Sequence, residues 1–131
     1  MHKQLRTLLL FAAAVFMFFA AIISVVVDVP HLEEDMVEID VRRMLLRAIM
    51  LGLHFASMAM IAFAIIVLIA AVQSLRGLAP ARAYLWVIAV MYVGFGLAAF
   101  AVTRSHHALA YSLMGALVGA ALLVPERNKG V

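Results

Sequence analysis

The sequence predicts an all-α integral membrane protein, a four-helix antiparallel bundle. Two features of composition and one of patterning predict it. Of 131 residues, 68% are hydrophobic and only 13% charged, whereas a soluble domain is nearer half apolar and a quarter charged. The mean hydropathy is +1.15. Four apolar runs approach or exceed the roughly 20 residues that a helix needs to cross a bilayer core. Backbone groups in lipid must pair within their own segment, which makes each run a helix. The alternating segments of a membrane barrel are absent.

A single transmembrane domain covers residues 1–131, with spans at about 7–27, 44–75, 82–103 and 106–124. In span one, Leu8 to Val27 is broken only by Ser24. Its basic start (His2, Lys3, Arg6) also suits a signal peptide. The apolar stretch is longer than the usual 7–15 residues or so, and no small-x-small site follows, so it is expected to be retained. Asp28 to Arg43 is the one sizeable polar segment. After Pro30 it reads as a short amphipathic extracytoplasmic helix, with Leu32, Met36, Val37 and Ile39 near helical spacing, leading into span two. Gly77 and Pro80 mark the turn after span two. Tyr84 and Trp86 suit an interfacial belt at the start of span three. Ser105 is placed to cap span four, and Pro125 stops it.

Charge orients the spans. Lys3, Arg6, Arg76, Arg82, Arg127 and Lys129 fall on one side. Arg42, Arg43, Arg47 and Arg104 fall on the other, together with Asp28, Glu33, Glu34, Asp35, Glu38 and Asp40. Only Lys and Arg set orientation, so both termini are expected in the cytoplasm. This pattern, with a net charge of only +3, points to membrane topology and away from a nucleic-acid partner. The absence of cysteine excludes disulfides, thiolate metal sites and cysteine nucleophiles.

Polar residues inside spans are the default functional candidates. On a helix, Asp40, Arg43, Arg47, His54 and Ser57 share one stripe about a third of the circumference wide. The stripe is expected to face the bundle interior and to reach a third to half of the membrane depth from outside, because Arg47 and His54 would be costly in lipid. Below Ser57 it turns apolar at Ile61, Ile65, Leu68 and Val72, which argues against a transporter or channel. Two histidines could ligate a haem axially. His54 with His106 or His107 is the candidate pair, at depths that differ by about two helical turns. Arg47 suits a haem propionate, a quinone or a lipid head group. His31, Glu34 and Glu38 share a helical face and are a weak candidate for a divalent metal, set against a solvated acidic loop. Span four carries Ala108, Ser112, Gly115 and Gly119 on one face, and span two carries Gly52 and Ala56; both suit close helix packing. No acid lies within a span and no serine has a base at useful spacing, so an enzyme is not expected.

The stretch from Arg47 to Ser57, with His54 followed three residues later by a serine, resembles a group of small uncharacterised four-span inner-membrane proteins of bacteria. Leu53 stands where that group suggests tryptophan, and span one lacks the group's histidine and glycine. The resemblance implies the bacterial inner membrane and four spans, and carries no residue roles. The leading expectation is a non-enzymatic accessory, assembly or scaffold subunit. It would act in the lipid bilayer through helix contacts with a partner membrane protein or a second copy. The alternative is a haem or quinone module centred on His54, and a further alternative is a small transporter or channel.

Overall fold

The computed structural model describes residues 2–125. Arg127 and Lys129, used in the charge reading, lie outside them. The described chain is all α. Helix α1 spans His2–Ile23, α2 Val29–Glu38, α3 Arg43–Leu75, α4 Arg82–Thr103 and α5 Leu109–Leu123. A π-helical turn, Ser24–Asp28, links α1 to α2, and a 3-10 turn, His106–Ala108, leads into α5. Four helical stretches are long and apolar enough to cross a membrane: His2–Glu38, Arg43–Leu75, Arg82–Thr103 and His106–Leu123.

The acidic segment differs from the sequence expectation. No break separates it from span one; the helix runs on to Glu38. Proline lacks an N–H and its ring crowds the carbonyl four residues back. Pro30 is accommodated because it lies in the first turn of α2, just past the π turn. There the ladder has already changed register, with Val29 N donating to Ser24 O, five residues back. Asp40 does not extend α3 upward. It has φ 56° and closes α2 in the left-handed conformation. Asp40 N donates to Val37 O and Val41 N to Met36 O, the pair of bonds of a Schellman cap with aspartate in the usual glycine place. Gly77, at φ 80°, closes α3 the same way through Ser74 O and Gln73 O. Ser105 precedes the 3-10 turn but its hydroxyl caps nothing; its main-chain carbonyl accepts from Ala108 N.

Helix α1 packs along α3 and also on α5, and α4 packs along α5. Cross-links fix the directions. Thr7 and Arg6 at the start of α1 donate to Ser74 Oγ at the end of α3 (3.0 and 3.2 Å), while Ser24 and Ser57 share a hydrogen bond of 3.3 Å at the other end. Arg82 at the start of α4 donates to Leu122 O at the end of α5. Both pairs therefore run antiparallel. One end of the molecule gathers Lys3, Arg6, Arg76 and Arg82; the other carries the acidic α2. The core joins Leu10, Ala13, Ala14 and Met17 of α1 to Ala64, Val67 and Ala71 of α3, and to Leu85, Ile88, Tyr92, Val118 and Ala121 of α4 and α5. Much of the remaining apolar surface faces outward, including Leu8, Phe19, Leu51, Phe55 and Val90. A soluble monomer rarely exposes apolar patches of that extent.

Candidate functional site

Length differences between helices create the site. Helix α3 has 33 residues and α4 has 22, about 50 and 33 Å at 1.5 Å per residue. The turn from Arg76 to Ala81 joins them at the basic end. The surplus of α3, its first eleven residues or so, rises past the end of α4. There it lies beside α2, and the two helices with the turn between them enclose an open groove of about 960 Å³. Glu33 and Val37 line it from α2, Asp40 and Val41 from the turn, and Arg43, Leu46, Arg47, Met50, Leu51 and His54 from α3. Its volume lies in the range of small-molecule sites.

Arg47 and His54, which share a face in the sequence, both line the groove. Both are exposed to the groove and neither faces the interior. The interior expectation holds only for Ser57, which is 1% exposed and donates to Leu53 O (3.0 Å). The reason is the overhang of α3: its polar stripe lies where no other long helix covers it except α2. His54 Nδ1 lies 2.7 Å from Met50 O, one turn up its own helix. Donation from Nδ1 to that carbonyl leaves Nε2 as the atom able to accept or bind. Glu33, Asp40, Arg43 and Arg47 bring both signs of charge to the groove. Among the described residues no ion pair joins them.

His106 and His107 do not line the groove. Phe63 of α3 and Tyr92 of α4 touch edge to face, with ring centroids 6.2 Å apart. His106 instead lies against Phe100, ring centroids 5.9 Å apart.

The small residues separate into two kinds. A Cβ on Gly115 would lie 2.6 Å from Ala89 O and 2.8 Å from Val93 N, so α5 meets the backbone of α4 there. Ser112 donates to Val93 O (3.2 Å), opposite Gly96, where a Cβ would meet Ser112 N at 2.5 Å. Gly94 and Gly96 look alike as small residues of span three, but a Cβ on Gly94 would meet nothing within 4 Å. Gly119 is looser, with 3.9 Å to Ala89 Cβ. Gly52 and Ala56 are exposed, and a Cβ on Gly52 would meet nothing within 4 Å. Among the described residues nothing stands over Gly52.

His31 Nδ1 and Glu34 Oε2 are 3.8 Å apart and both well exposed. Glu38 does not complete a site: among the described residues no three His, Asp or Glu are grouped to hold a metal ion. Tyr92 Oη is the buried side-chain polar atom without a hydrogen-bond partner among the described residues. It was not anticipated, and a tyrosine in an apolar run carries no mark of its partner.

No family model, curated protein or solved structure matches the chain.

Proposed function

We propose that the chain is a non-enzymatic multi-pass protein of the bacterial inner membrane whose groove holds the head group of an amphiphile. In this reading the helices form a four-helix antiparallel bundle across the bilayer. Lys3, Arg6, Arg76 and Arg82 mark the cytoplasmic face, and both termini lie there. Helix α4, about 33 Å long, matches the roughly 30 Å hydrocarbon core. The overhang of α3 then stands at the outer head-group level, and so does the groove. The observation that carries the proposal is the joint placement of Arg47 and His54 beside Leu46, Met50 and Leu51 in that groove. A guanidinium recognises phosphate or carboxylate oxygens in a forked geometry, and the imidazole adds a second polar contact. The apolar residues between them suit the glycerol and upper acyl region. A quinone head group is the competing occupant, and haem would need a second axial ligand.

The test is lipid retention. The full chain is purified in mild detergent with extended washing, and bound phospholipid is counted by native mass spectrometry. About one lipid per chain is expected to stay on the wild type and to be lost in Arg47→Ala/His54→Ala. Equal retention in both proteins overturns the proposal. Gly52 and Ala56 favour a second reading, an accessory subunit docking through α3, because their face is small and open. Under that reading Gly52→Leu releases a co-purifying protein and Arg47→Ala/His54→Ala does not.

A further inference from the structure

We infer that the groove selects a zwitterionic phospholipid, whose phosphate meets Arg47 and His54 and whose ammonium meets Asp40; this rests on the head-group reading above. A site for a purely anionic head group needs only bases. This groove also carries two carboxylates, Glu33 on α2 and Asp40 in the turn. In so small a space, opposite charges would normally pair with each other. Among the described residues these do not: no ion pair within 4.0 Å links Glu33 or Asp40 to Arg43 or Arg47. Among the described residues both signs are without an ion-pair partner within the groove.

The backbone explains the separation. Asp40 is fixed in the left-handed cap of α2, outside the helical register of α3. Arg47 lies a turn below Arg43 on α3, and His54 about two turns below Arg47. The bases therefore extend downward from the turn at which Asp40 sits. A zwitterionic head group has the same order along the membrane normal. Its phosphate is attached to the glycerol, nearer the hydrocarbon, and its ammonium reaches outward on a two-carbon arm. Leu46, Met50 and Leu51 lie among the bases, where the glycerol and the first methylenes would rest. An anionic lipid with an uncharged polar end would bring no partner for Asp40.

The test places the full chain in nanodiscs of equal phosphatidylethanolamine and phosphatidylglycerol, re-extracts it in mild detergent and identifies the retained lipid. Single exposed charge contacts contribute about 0.2–1 kcal/mol. Phosphatidylethanolamine is therefore expected to be enriched roughly 1.4- to fivefold over phosphatidylglycerol. Glu33→Gln/Asp40→Asn should abolish the enrichment while a lipid is still held; asparagine also tolerates the left-handed backbone at 40. Enrichment of phosphatidylglycerol, or no preference, overturns the zwitterion inference and leaves the head-group reading standing. Enrichment that survives Glu33→Gln/Asp40→Asn overturns the role of the acids. Loss of all lipid from the wild type overturns the head-group reading itself.

Discussion

An alanine at position 115 should unsettle the contact between α4 and α5, and an alanine at 119 should not. The added methyl at 115 would lie 2.6 Å from Ala89 O and 2.8 Å from Val93 N, where ordinary contact begins near 3.4 Å. It is short of room by about 0.8 Å on the carbonyl side. Both obstacles are main-chain atoms of α4, so no side chain can rotate away. The helices must separate, and with them Ser112 Oγ from Val93 O. Overpacking of this kind costs about 1–3 kcal/mol. Gly119, one turn on, is the control, because its methyl would stand 3.9 Å from Ala89 Cβ in ordinary contact. Reversible unfolding in mixed micelles, titrated with a denaturing detergent, reads both variants against the wild type. The expected order is Gly115→Ala well below wild type and Gly119→Ala within about 0.5 kcal/mol of it. A stable Gly115→Ala, or a larger loss at 119, would refute the packing account.

Other outcomes follow from single contacts. Tyr92→Phe removes a buried hydroxyl that has no partner among the described residues; a buried unmet polar group costs about 1–3 kcal/mol. The variant should be as stable as wild type or more so in the same titration, and a clear loss would mean the hydroxyl has a partner. Ser24 and Ser57 join the π turn to α3, and a double-mutant cycle to alanine should return a coupling of about 0.6 kcal/mol, the average for such bonds in membranes; zero coupling would remove that link. The chain has no cysteine, so Glu34→Cys and Arg76→Cys give clean topology reporters. In intact cells a membrane-impermeant maleimide should label Glu34→Cys and spare Arg76→Cys, and the reverse would invert the proposed orientation.

The helices were legible in the sequence because lipid leaves the backbone one solution: an apolar run must pair its own N–H and carbonyl groups. Ends were harder. Pro30 suggests a break, yet the chain resolves it with a π turn, a choice between two helical registers that residue type does not encode. Asp40 fits the period of α3 but belongs to the cap of α2, because Schellman closure can override a helical extrapolation of three residues. Periodicity shows which residues share a face, not what that face meets. So Gly115 and Gly52 look alike in sequence, although one touches a backbone and the other nothing. Arg47 and His54 were legible as a pair. Their position in an open groove was not, although one clue lay in the unusual length of the second apolar run. A helix about half as long again as α4 projects beyond it, and its extra turns lie outside the core they share.

The most direct test of the account is lipid contact at a single position. A benzophenone amino acid at Leu51, which lines the groove and is 74% exposed, is compared with one at Val90 on the open face of α4, 65% exposed. Both positions are exposed, so exposure alone predicts equal, unselective crosslinking. The groove account predicts a discrete phospholipid adduct at Leu51, reduced by Arg47→Ala/His54→Ala, against diffuse, unaffected labelling at Val90. The same adduct pattern at both positions, or an adduct at Leu51 indifferent to Arg47 and His54, would contradict it.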